Sequence, residues 1–222
     1  MMKKQFGILL LLLVALTSRA DSTNLTTTLN TAIPDVNPVG LTSTLNVSVA
    51  GGNITNITVN LDITGGFNGD LYAYLVSPTG TMVVLVNRVG MGSGNPYGYG
   101  TAGFNITLDN ASTNNVHTYQ STSYTLSGGQ LTGVWAPDSR TNSPFSSPSV
   151  FSLAPTGNTF ANLDGSSPNG VWTLFIADLS GGGQSTLVSW GLTIVTVPEP
   201  QTWTIFGGSL AAFWMMTRKR RK

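Results

Sequence analysis

The segment Ile57-Thr58-Val59-Asn60-Leu61-Asp62-Ile63 decides the fold class. Its apolar residues occupy every second position, so an extended backbone places Ile57, Val59, Leu61 and Ile63 on one face and Thr58, Asn60 and Asp62 on the other. A strand with one dry and one wet face belongs to an antiparallel sheet that covers a core on one side only. The same pattern recurs outward from this segment. Leu45, Val47 and Val49 alternate with Asn46 and Ser48, and further strands are expected over residues 71–77, 82–89, 103–108, 170–178 and 186–195. Ser77-Pro78-Thr79-Gly80 reads as a tight reversal, with proline at the second turn position and glycine at the fourth.

No stretch of the body sustains a 3.6-residue apolar period, and 26 glycines with abundant Thr, Ser and Asn disfavour helix. The expected architecture is all-β: a jelly-roll-like sandwich of about eight antiparallel strands over residues 41–196, with residues 21–40 as a patternless lead-in. The glycine-rich loop 90–103 lacks the Lys-Ser/Thr pair and the following helix that a phosphate cradle requires. The Ser/Pro-rich loop 139–149 is expected to be exposed.

The 222-residue chain has a net charge of +1, but its basic residues are concentrated at the two ends. Between residues 21 and 196, eight Asp face only Arg88 and Arg140, which leaves the body at −6 with no lysine. Nucleic acid is therefore a poor partner, because phosphate binding draws on clustered Lys and Arg. The absence of cysteine excludes a disulfide framework, a thiolate metal site and a cysteine nucleophile.

The ends read as addresses. Lys3 and Lys4 precede an apolar run from Phe6 to Leu16, and Ser18-Arg19-Ala20 places small residues where a signal peptidase cuts. Residues 1–20 are thus expected to be a signal peptide cleaved between Ala20 and Asp21. Residues 197–222 contain Pro198-Glu199-Pro200, an apolar stretch from Trp203 to Met216, and the cations Arg218, Lys219, Arg220, Arg221 and Lys222. A short transmembrane helix held by a cytoplasmic basic end would leave the body outside the inner membrane. The three parts in this order resemble the PEP-CTERM sorting signal. That resemblance implies processing by an exosortase and delivery to the cell surface or the medium of an exopolysaccharide-producing bacterium.

The body carries a second resemblance. Gly69-Asp70-Leu71, Leu75-Val76-Ser77-Pro78-Thr79-Gly80-Thr81, Gly103-Phe104, Gly170-Val171-Trp172-Thr173-Leu174 with Asp178, and Leu187-Val188-Ser189-Trp190-Gly191-Leu192 occur in the order of the P domain, or P/Homo B domain. This domain follows the catalytic domain of proprotein convertases and many bacterial subtilisin-like proteases. The resemblance implies association with serine-type endopeptidase activity and proteolysis, and a structural Ca²⁺, for which Asp70, Asp109 and Asp178 are candidate ligands. Each of these also suits a turn, and Asp178 precedes the glycine-rich turn Leu179-Ser180-Gly181-Gly182-Gly183. The Arg-Gly-Asp of the convertases is Asn68-Gly69-Asp70 here, so no integrin-like recognition carries over.

A subtilisin-type triad belongs to a separate, larger domain that the body does not contain, and the only histidine is His117. No opposed pair of acids and no His-Glu-x-x-His motif is evident, so the chain is expected to be non-catalytic. Three functional readings follow. The first is a binding or structural module that stabilises a subtilisin-like protease in trans. The second is a carbohydrate-binding protein of the exopolysaccharide matrix, with Tyr97, Tyr99 and Trp135 as stacking residues. The third is a component with serine-type endopeptidase activity and proteolysis, as the resembled domain family implies. Trp172 and Trp190 read as core.

Overall fold

A computed structural model describes residues 20–197. The expected signal peptide up to Arg19 and the residues from Pro198 onward, including Pro-Glu-Pro, the apolar stretch and the basic end, lie outside the described residues. No helix among the described residues is long and apolar enough to cross a membrane.

The body is a two-sheet β-sandwich. Its ten strands are β1 (Asp21–Ala32), β2 (Leu41–Val47), β3 (Asn53–Gly65), β4 (Leu71–Val76), β5 (Met82–Asn87), β6 (Gly103–Asp109), β7 (Thr125–Ser127), β8 (Gln130–Trp135), β9 (Gly170–Asp178) and β10 (Ser185–Val197). One sheet has six strands in the order β1-β10-β3-β6-β8-β7, and the other has four in the order β2-β9-β4-β5. Ile57, Val59, Leu61 and Ile63 all face the core between the sheets and are at most 1% exposed. The reversal at Ser77 closes with Gly80 N donating to Ser77 O at 2.9 Å.

Three features differ from the sequence expectation. The lead-in is not patternless: Asp21–Ala32 forms a long edge strand antiparallel to β10, pairing Leu25 with Leu192 and Thr27 with Trp190. Its inward positions are Thr23, Leu25, Thr27 and Leu29, so half of the buried face is threonine and hydropathy hides the alternation. A break in register between Thr28 and Thr31, with Asn30 at φ 49°, interrupts the ladder before pairing resumes at Thr31–Leu187 and Ala32–Thr186. The hairpin β7–β8 was also unexpected. It turns on Gly128-Gly129, both at positive φ, and its first strand is wholly exposed. Finally, the β6–β8 pair is parallel, with Phe104 opposite Leu131 and Leu108 opposite Trp135, although every other pair is antiparallel.

Trp172 and Trp190 are core residues, at 0% and 1% exposure, but they lie in opposite sheets. In β10 a bulge between Leu187 and Ser189 shifts the inward positions to Trp190, Leu192 and Ile194. The bulge lets Leu187 and Trp190, three positions apart, point into the same core. From there the Trp190 indole Nε1 donates to Ser43 Oγ of β2 at 2.9 Å and ties the two sheets together.

Candidate functional site

Two clusters of ionisable side chains occur among the described residues. The first grows from the short 3₁₀ turn Asn68–Asp70, which leads into β4 and is buried throughout. Asn68, 0% exposed, accepts from Gly103 N at 2.8 Å through Oδ1 and donates from Nδ2 to Gly103 O and Thr101 Oγ1, each at 3.0 Å. One amide thus replaces a missing length of β-ladder between the β3–β4 loop and β6. Gly103 is obligatory here: its φ is +99°, and a Cβ would lie 2.0 Å from Ile63 O. A motif buried this deeply cannot be a protein-recognition tripeptide.

Asp70 sits beside Asp178, whose register partner is Leu71. Asp178 Oδ2 accepts from Ser185 Oγ at 2.9 Å, and Oδ1 faces Ser180 N at 3.5 Å, so Asp178 caps the turn after its strand. Arg88, at φ 47°, donates from Nη2 to Ser180 Oγ at 2.6 Å and from Nε to Gly69 O at 3.1 Å, with Asp70 Oδ1 3.6 Å from Nη2. Burial and the Asp178 charge push the Asp70 carboxyl up to about 6 against the pull of Arg88, and burial also raises Asp178. The Arg88 guanidinium is lowered by the same burial.

The candidate Ca²⁺ ligands do not form one set. Asp109 lies at the far end of β6 from Gly103, where its Oδ1 accepts from Ala111 N at 2.9 Å as a turn residue. Asp70 already faces a guanidinium, and both Asp178 oxygens have protein donors. Among the described residues no group of three or more His, Asp or Glu is arranged to hold a metal ion. Ca²⁺ takes six to eight oxygens, roughly, and this donor set does not fit it.

The raised carboxyl has a measurable consequence. Between the ordinary value of 3.8 and about 6, the native state holds a proton on Asp70 that the unfolded chain has released. Unfolding free energy therefore falls as pH rises through that window, and Asp178 adds to the same slope. Asp70→Asn should flatten the profile and exceed the parent in stability at pH 7 by about 1–2 kcal/mol. Urea unfolding at pH 4, 5 and 7 checks this, and a parent more stable than the variant at pH 7 would contradict it.

The second cluster surrounds His117, 3% exposed, in the 3₁₀ segment Val116–Ser121. His117 Nδ1 lies 2.7 Å from Asp138 Oδ2, and Nε2 lies 3.1 Å from Met91 O. Both ring nitrogens thus have an oxygen partner within the fold. Asp138, 0% exposed, also accepts from Asn87 N at 3.0 Å and Arg140 Nη1 at 2.9 Å. Asp138 N and Ser139 N donate to Leu85 O and Val84 O, so this segment is laced to the edge of β5. Neither ring nitrogen of His117 faces a hydroxyl, so the imidazole is not poised to activate a nucleophile. The sequence reading singled out neither Asp138 nor the two arginines that pair with the buried acids.

The three candidate stacking residues separate. Trp135 ends β8 at 4% exposure, with its indole Nε1 donating to Thr132 O at 2.9 Å, and is a core residue. Tyr99 packs edge-on against Tyr119 at 4.6 Å and covers the core edge. Tyr97 alone stands out, at 80% exposure. The parallel β6–β8 pairing, which brings Trp135 beside Leu108, is what removes it from the loops.

No curated protein matches the chain. Solved structures do match, two serine protease structures among them. The Aeromonas sobria serine protease in complex with the chaperone is 15% identical, with a TM-score of 0.45, over 81% of this chain and 27% of that one. The serine protease of Aeromonas sobria alone is 14% identical, with a TM-score of 0.44, over 81% of this chain and 28% of that one. The chain therefore spans little more than a quarter of the solved chains it matches. Residues 54–138, from β3 through the Asn68 turn to the carboxylate that binds His117, match the proprotein convertase P-domain family model.

Proposed function

We propose that the chain is an exported, non-catalytic P-domain module that works by binding. The P-domain match over residues 54–138 supports the domain assignment and its association with serine proteases. The observation that carries the non-catalytic reading is the fate of the sole histidine, whose two ring nitrogens are spent on Asp138 and a backbone carbonyl inside the fold. Ionisable groups buried in this way hold segments together instead of meeting substrate.

In this reading the body stabilises a subtilisin-like protease in trans, because a partner that binds only the native protease shifts its folding equilibrium. Export follows from the signal-like segment up to Ala20, and a cut there leaves β1 whole from Asp21. Exosortase processing near Pro198-Glu199-Pro200 would then place the body at the cell surface or in the medium. Two assays test the reading. The purified full chain should cleave no peptide in a random library, and capture of the exported protein from culture medium should co-purify a subtilisin-like protease. Cleavage by the chain alone would overturn the non-catalytic half, and capture without a protease the binding half.

A further inference from the structure

The outer face of the four-stranded sheet carries a hollow of about 330 Å³ with two unlike walls. Tyr72, Met82 and Val84 of β4 and β5 form an apolar and aromatic wall; Ser139, Arg140 and Asn158, from the segments lying over that face, form a polar one. Tyr72 belongs to a group of half-buried aromatic rings on the same face, 5.8 Å from Tyr74 and 6.4 Å from Phe175, while Tyr74 and Phe175 stack at 4.8 Å. The rings hold one another in place, so Tyr72 presents a fixed surface.

The polar wall holds the second observation. Four buried side-chain polar atoms lack a hydrogen-bond partner among the described residues: Asn87 Oδ1, Ser139 Oγ, Arg140 Nε and Asn142 Oδ1. All four belong to this one neighbourhood. Ser139 and Arg140 line the hollow, and Asn87, opposite Tyr72 in the ladder, donates to Asn142 O at 3.0 Å beside them. Ser139, which lines the hollow, is 3% exposed, so its unpaired hydroxyl carries a desolvation cost that a polar ligand would relieve. Buried orphans elsewhere in the described body are absent, which makes this concentration a property of the site.

We propose that this hollow binds a neutral saccharide unit. A pyranose has an apolar C–H face and an edge of hydroxyls, each both donor and acceptor. The first matches Tyr72, Met82 and Val84, and the second matches the orphaned Ser139 hydroxyl and the unpaired Arg140 Nε–H. Neutrality follows from charge. Arg140 is already paired with Asp138 at 2.9 Å, and a body with eight Asp and two Arg repels a polyanion. The inference goes beyond the protease-binding reading and uses a different surface from Tyr97.

Calorimetric titration of the full chain with neutral gluco-, manno- and galacto-hexasaccharides, and with hexagalacturonate as the anionic counterpart, tests it. A neutral hexasaccharide should bind with a Kd below about 1 mM. Tyr72→Ala should weaken binding about tenfold, and Tyr97→Ala should leave it unchanged. Met82→Arg, at a 44% exposed position on the rim, blocks the hollow without opening the core and serves if Tyr72→Ala does not fold. Absence of heat with all neutral ligands, preference for hexagalacturonate, or affinity retained in the folded Met82→Arg variant would overturn the proposal. Because none of these readouts involves a protease, failure here leaves the protease-binding reading standing.

Discussion

Asp138→Ala is expected to lower the unfolding free energy by about 3–5 kcal/mol, a fall of roughly 10 °C in Tm for a body of this size. The carboxylate is fully buried and ties its own segment to two elements. Its oxygens accept from His117 in the 3₁₀ segment, from Asn87 N at the end of β5 and from the Arg140 guanidinium. Alanine leaves Asn87 N and the Arg140 guanidinium without their acceptor and His117 Nδ1 without its partner. That is the expensive way to disrupt a buried ion pair, because the surviving partners keep their desolvation cost and lose their compensation. Asp138→Asn keeps one acceptor oxygen and the shape, so its loss should be smaller. Denaturant unfolding with the slope m checked for constancy reads both variants. A loss below about 1 kcal/mol for alanine would show that the segment beyond Ala136 is held by its other hydrogen bonds, among them those to Val84 O, Leu85 O and from Gly157 N.

Trp190→Ala is expected to cost about 3–5 kcal/mol, through lost burial and through the cavity left between the sheets. Ser43→Ala, which removes only the hydroxyl that accepts from the indole, should cost about 1 kcal/mol. The double variant should fall short of the sum by about the worth of that bond, since each single change already breaks it. Unfolding measurements on the two singles and the double give the coupling directly. Additive losses would mean that the cross-sheet hydrogen bond contributes nothing beyond packing.

These sensitive positions differ in how plainly the sequence announces them. Ile57 to Ile63 could be read at once because a central strand with one wet face alternates strictly, and the two buried tryptophans were legible from their size and apolarity. The strand at Asp21–Ala32 escaped because threonine fills half of its inward positions, and β7 because all of its residues face solvent. Trp135 was misplaced because its burial depends on a parallel pairing with β6 that no local pattern encodes. The Ca²⁺ set dissolved for a similar reason: Asp70 and Asp178 meet through cross-strand register, while Asp109 ends the opposite reach of its own strand.

The ionic clusters were half visible. The sequence shows eight Asp and two Arg in the body but not which acids the arginines meet; Arg88 and Arg140 meet the buried Asp70 and Asp138. The sequence does not reveal that His117 would join Asp138 across 21 residues, because that contact depends on the path of the chain around the edge of β5. The hollow at Tyr72 was illegible for the same reason. Its apolar wall comes from two adjacent strands and its polar wall from a loop more than fifty residues farther along.

In the proposed reading this chain binds partners without cleaving them. Incubation of the purified full chain with a randomised peptide library, followed by mass spectrometry of the products, tests that claim most directly. The account predicts the same products as buffer alone, with or without Ca²⁺; cleavage by the chain that disappears in a folded His117→Ala variant would contradict it.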